Sequence, residues 1–300
     1  MGAGLRIGSR ATDAPGVDPA PGRPPFFGPG GPVVVGHRGT GPGATPLGYR
    51  ENTVPAFALA VRRGAAWVEC DAQATADGVL VLRHDTAGDG LVVGEHARSA
   101  LATQALDGLA ELHAVLPDDV GVDVEVKVGV PDASGQDPTT AAVVAFVAAH
   151  RGERPWLVSS FDPTVVLAAR AAGVPAGWLT GEGIGLHESV AAGIRLGALV
   201  ACVHAAAVLS TRTTTLPVAG ALRLARQHGL ALLAWGASAR QVPALADTGV
   251  GAVCVDDVAG AVSALAAPAL PRPRRAAPAA SPATSPSTSP SVSLLALPLR

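Results

Sequence analysis

A chain of 300 residues with 48% hydrophobic and 15% charged content holds enough apolar material for one large folded body or two small ones. Its 22 basic and 24 acidic residues leave a net charge of -2, and aromatics make up 3%, which excludes a basic field or a stacking platform for nucleic acid. The longest apolar runs, such as Leu196 to Val203, fall short of the roughly 20 residues of a spanning helix, and the N-terminus shows no apolar signal core, so a cytoplasmic chain with no transmembrane segment is expected.

In chain order, residues 1–31 are Gly/Pro-rich without apolar periodicity and read as a disordered arm. Residues 32–267 form one folded domain, and 268–300 are a Pro/Ser/Thr/Ala tail that cannot bury enough surface to fold. Within the domain, short Val/Leu/Ala runs alternate with longer Ala-rich helical stretches, the pattern of an α/β chain around a parallel sheet. Strands are expected at 33–36, 67–71, 121–127, 157–161, 176–179, 198–203, 230–235 and 252–256, with helices at 53–63 behind an Asn52 cap, 139–150, 163–172 and 218–228. A further strand at 79–83 follows Thr75-Ala76-Asp77-Gly78. That spacer is too short for a parallel crossover and carries the Asp-Gly of a tight turn, so the strand folds back antiparallel on strand two. The expectation is a (β/α)8 TIM barrel with one extra antiparallel hairpin strand after strand two, its chemistry at the C-terminal strand ends.

Polar residues gather at those ends. Strand one ends in Gly36-His37-Arg38-Gly39, strand two carries Glu69-x-Asp71, strand three Glu125-x-Lys127, and the hairpin ends in His84-Asp85. The two-residue period of a strand puts Glu69 with Asp71 on one face and Glu125 with Lys127 on another, while Cys70, Val124 and Val126 turn to the helix layer. Three converging carboxylates repel one another unless a cation sits between them, and all-oxygen ligation favours Mg2+ or Ca2+ over zinc or copper. Lys127 is the single lysine and Asn52 the single asparagine of an Arg-rich chain. The three cysteines, Cys70, Cys202 and Cys254, lie in strand runs and read as small buried hydrophobes.

His37-Arg38-Gly39, Glu51-Asn52-Thr53, Gly64-Ala65, Glu69-x-Asp71, Thr75-x-Asp77-Gly78, His84-Asp85, Glu125-x-Lys127 and Ser159-Ser160-Phe161, in that order, resemble the glycerophosphodiester phosphodiesterase family. The resemblance runs over most of 33–258. It implies a phosphodiesterase acting on a small-molecule glycerophosphodiester, with one divalent cation held by Glu69, Asp71 and Glu125. It further implies His37 and His84 as general acid and base in an order left open, and Arg38 and Lys127 on the phosphate. Phe161, Trp178 and Trp235 fall at barrel strand ends, where Trp235 is read as a substrate contact; packing alone is an equal reading for the three. Asp85 is placed to orient its neighbour or cap a turn, and Glu51 to support the site. Two other outcomes stay open: a related lyase that leaves a cyclic phosphate, and a barrel that binds a head group or metal without turnover. The chain departs from the family pattern at Arg50, where Pro is usual, at Trp235-Gly236-Ala237-Ser238, which lacks an Asn, and at Val255-Asp256-Asp257-Val258.

Overall fold

The computed structural model describes residues 26–28, 31–45, 48–88, 91–129, 137–210 and 218–267; the tail from 268 and residues 1–25 lie outside the described residues. The chain opens with β1 (Val33–Gly36), α1 (Val54–Arg62) and β2 (Trp67–Ala74), then β3 (Leu80–Leu82) and the two-residue strands β4 (Ala87–Gly88) and β5 (Leu91–Val92). There follow α2 (Leu109–Val115), β6 (Gly121–Val126), α3 (Pro138–His150), β7 (Trp156–Ser160), α4 (Pro163–Ala171), β8 (Ala176–Leu179) and α5 (Leu186–Leu196). The last are β9 (Val200–His204), α6 (Ala205–Leu209), α7 (Val218–Gln227), β10 (Ala231–Trp235), α8 (Val242–Ala246), β11 (Ala252–Val255) and α9 (Val258–Ala266).

Eight of these strands, β1, β2 and β6 to β11, pair in parallel and in order. The ring closes because β1 pairs with both β2 and β11. The strand expected at 79–83 is β3, antiparallel to β2 with Ala72 opposite Leu82, so it stands outside the ring as the Asp77-Gly78 turn required. Among the described residues, alternation along the ring strands sorts the barrel core into two clusters, while Val81, Val93 and Leu101 form a third, smaller one. Val35, Trp67, Leu157, Val200, Cys202, Leu233 and Cys254 fill the barrel interior. Val34, Val68, Cys70, Val122 and Val124 belong to the layer packed beneath the helices. Residue 121 has to be glycine, since a Cβ there would lie 2.2 Å from the Trp67 ring. All three cysteines are free and buried, and burial pushes each thiol up, which keeps them unreactive.

Two local expectations are corrected. Asn52 does not cap α1. That helix starts at Val54, whose N–H donates to Asp107 Oδ2 at 2.6 Å, and Asn52 turns inward with φ +55. Nor does the whole of 1–31 stand free. Phe26 and Phe27 pack on Trp67 with ring centroids 5.7 and 5.3 Å away, and Phe27 is 8% exposed. Two aromatics alone carry no periodicity, but the ring of Trp67 offers them a floor of the barrel to cover. Phe27→Ala is therefore expected to cost about 3 kcal/mol of stability. Urea denaturation checks this, and an unchanged midpoint would show that the pair contributes nothing.

Candidate active site

The turn after β1 sets the first wall of the site. A Cβ on Gly36 would lie 2.5 Å from Gly39 O and 2.9 Å from Ala60 Cβ, so β1 ends hard against α1. The chain then reverses through Arg38 at φ +47, a left-handed conformation that non-glycine residues adopt at a cost. This conformation aims the Arg38 N–H at Glu69 Oε2, 2.8 Å away. Its guanidinium spans two carboxylates, with Nη1 3.3 Å from Glu51 Oε1 and Nε 3.3 Å from Asp71 Oδ2.

Register brings the acids together. Asp71 on β2 lies opposite Glu125 on β6, and one carboxylate oxygen from each of Glu69, Asp71 and Glu125 falls within 4.8 Å of the other two. Asn52 holds Asp71 from two sides: Nδ2 donates to Oδ2 at 2.7 Å, and Oδ1 accepts the Asp71 N–H at 3.1 Å. Lys127 Nζ lies 2.9 Å from Asp71 Oδ1 and also donates to Glu125 Oε1. Burial alone would lower the lysine, but the facing charges of Asp71 and Glu125 outweigh it and hold its pKa up.

These acids are short of positive charge. Burial first, then the charges of Asp71 and Glu125, push Glu69 well above the usual carboxylate range, and burial likewise raises Glu125. Glu69 Oε1 is buried with no hydrogen-bond donor. An orphaned buried carboxylate oxygen beside two further carboxylates fits a hard divalent cation. One layer below, Asp123 is pushed up to about 7 by burial, although Ser159 Oγ donates to it at 2.7 Å. Strand alternation from Glu125 could have found Asp123, which the sequence reading passed over.

The two histidines each meet a carboxylate. His37 Nδ1 is 2.7 Å from Asp256 Oδ1, and His84 Nδ1 is 2.8 Å from Asp85 Oδ1. The histidine hydrogen bond holds each aspartate below its ordinary value, so each accepts and the proton sits on Nδ1. Nε2 of each ring is then the atom left to exchange a proton. Asp256 comes from the end of β11, 219 residues along the chain, and only the closed ring makes it a neighbour of His37.

On the far side of the mouth, Trp235 Nε1 donates to Thr180 O at 3.2 Å, and its ring meets Phe161 at 6.4 Å and His204 at 4.7 Å. Trp235 and His204 are paired in register at the ends of β10 and β9, where they share the inner face with Leu233 and Cys202. His204 was not singled out by sequence; its place at a strand end was the available signal. Outside the barrel, His113, His150 and Glu153 also cluster. There Arg154 Nε donates to His113 Nδ1 at 3.0 Å, which leaves the proton on Nε2, 2.8 Å from Glu153. Both nitrogens of that ring are committed, so it has no lone pair for a metal.

Comparison with known proteins bears on the fold and the family. No curated protein matches the sequence. A glycerophosphodiester phosphodiesterase from Thermotoga maritima superposes with a TM-score of 0.61 at 22% identity, over 78% of this chain and 99% of that one. A phosphodiesterase from Oleispira antarctica, solved with the product sn-glycerol-3-phosphate, gives a TM-score of 0.62 at 23% identity over 78% and 97%. A glycerophosphodiester phosphodiesterase from Agrobacterium tumefaciens gives 0.56 at 21% over 77% and 99%. At these identities the solved structures speak for the barrel, whereas the sequence profile of one family matches residues 37–259 and so spans every side chain of the mouth described above. With its strand ends carrying that profile in order, the chain belongs to the glycerophosphoryl diester phosphodiesterase family and is a phosphoric diester hydrolase.

Proposed function

We propose that the protein hydrolyses a glycerophosphodiester to glycerol 3-phosphate and an alcohol, using one divalent cation, Mg2+ or Ca2+, and proton exchange at His37 and His84. The observation that carries this reading is the pairing of two histidine–aspartate couples with a three-carboxylate cluster whose Glu69 Oε1 has no donor. Glu69, Asp71 and Glu125 would hold the cation, which supplies charge stabilisation to the phosphoryl oxygens when bound. Arg38 and Lys127 lie against the same carboxylates and offer N–H donors to the phosphate. As the P–O bond to the alcohol breaks, the histidine that acts as acid, carrying protons on both ring nitrogens, gives the one on Nε2 to the leaving oxygen. The other takes a proton from the attacking water or hydroxyl. Trp235, braced on Thr180, walls the substrate opposite the metal ligands.

The product bound to the Oleispira antarctica structure makes glycerol 3-phosphate the compound to assay. Its release from glycerophosphocholine and glycerophosphoethanolamine is expected with Mg2+ or Ca2+ and not with EDTA. Absence of release under every condition would overturn the reading, and a persistent cyclic phosphate by phosphorus NMR would replace it with the lyase. Asp256→Asn keeps the shape of the His37 partner but removes its charge. It is expected to lower kcat by about 10²-fold or more with KM little changed, as for other catalytic histidines deprived of their carboxylate. Steady-state kinetics that show kcat intact would remove Asp256 from the mechanism.

A further inference from the structure

A polar pocket of about 410 Å3 opens beside the reacting centre, lined among others by Arg50, Glu51, Asn52, Arg83, His84 and Asp85. It shares His84 with the proton-exchanging pair, and Asn52 with the support of Asp71. Its charges do not balance. Glu51 is engaged by Arg38 at 3.3 Å and Asp85 by His84 at 2.8 Å. Arg50 and Arg83 form no ion pair among the described residues.

Both arginines are held in place from the protein side. Arg50 Nη2 donates to Ala105 O at 3.0 Å, which pins its guanidinium to the wall. The backbone of Arg83 is tied to β2, since its N–H donates to Asp71 O at 2.9 Å and its carbonyl accepts from Gln73 Nε2 at 2.6 Å. Arg83 Nη1 is nevertheless buried with no acceptor. A guanidinium N–H withdrawn from water without an acceptor is unfavourable until an anion supplies one. The reaction at phosphorus leaves both residues unused, because Arg38 and Lys127 already flank the metal ligands.

We propose that this pocket is an anion subsite, in which Arg83 and Arg50 hold a second negative group carried by the alcohol half of the diester. The subsite rests on the phosphodiesterase reading for its substrate. A diester whose alcohol bears a phosphate gains two cationic partners there, and a choline diester gains none.

The test compares kcat/KM for glycerophosphoinositol 4-phosphate and glycerophosphocholine in the wild type, R83Q, R50Q, the double variant and R83K. The wild type is expected to favour the anionic diester. R83Q should cut that ratio about ten-fold or more through KM, the double variant further, and R83K should restore part of it. A ratio unchanged by the substitutions, or a wild type that favours choline, overturns the subsite. Calorimetric titration with inositol 4-phosphate decides independently of turnover. Weaker binding in R83Q supports the subsite even where neither diester is hydrolysed, an outcome that would overturn the phosphodiesterase reading alone. Equal binding in the wild type and R83Q overturns the subsite.

Discussion

His37→Ala is expected to lower kcat on a glycerophosphodiester by about 10²–10⁴-fold, the range that a positioned acid or base contributes, while divalent-cation affinity stays within a few fold. The separation follows from geometry. His37 contacts Asp256, whereas the carboxylate cluster is held by Asn52, Lys127 and the Arg38 backbone. His84→Ala is expected to behave alike, since its partner Asp85 also lies outside the cluster. The two variants part on the leaving group. Whichever histidine protonates the departing oxygen becomes nearly dispensable when the alcohol is 4-nitrophenol, which leaves without a proton. The variant lacking the base stays slow on both substrates. Single-turnover kinetics with the two diesters thus assigns the roles, and equal rates for His37→Ala and the wild type on both diesters would remove His37 from proton transfer.

Much of the barrel was legible because it depends on local signals. Runs such as Val33 to Gly36 and Ala252 to Val255 are short, β-branched and bounded by turns, and Asp77-Gly78 fixed the hairpin on its own. The acidic cluster was legible for a similar reason, since alternation along β2 and β6 places Glu69, Asp71 and Glu125 together before any packing is known. What escaped depends on distant parts of the chain. Asn52 sits directly before a helix and reads as a cap, yet its side chain is claimed by Asp71, 19 residues on. Asp256 needs ring closure to reach His37. Phe26 and Phe27 acquire a partner only when Trp67 closes the barrel floor. The unsatisfied Arg83 is likewise a property of the surrounding packing, because its sequence neighbours say nothing of which donors find acceptors.

Glu69→Gln is expected to weaken divalent-cation affinity by about 100-fold or more, beyond what loss of an outer partner costs. The amide oxygen still accepts the Arg38 N–H, so the fold around it persists while one negative charge is lost. The sign of the stability change depends on the cation. In metal-free protein, Glu69 is raised by burial and by its acidic neighbours, and Asp123 is raised to about 7. Carboxylates raised in the folded state bind protons that the unfolded chain would release. Metal-free stability therefore falls as pH rises from the ordinary carboxylate range through about 7, and it is regained on acidification. Removing the Glu69 charge relieves part of that penalty, so the melting temperature of metal-free Glu69→Gln should exceed that of the wild type at pH 8. A cation acts oppositely. At 100 times its Kd it adds about 2.7 kcal/mol to the wild type, and the gain shrinks as protons compete for the same oxygens at lower pH. Thermal melts with Mg2+, Ca2+ and EDTA at pH 6 and 8 should therefore show a cation-induced shift in the wild type that is larger at pH 8 and nearly absent in Glu69→Gln. An equal shift in both proteins would place the cation elsewhere and take Glu69 out of the ligand set.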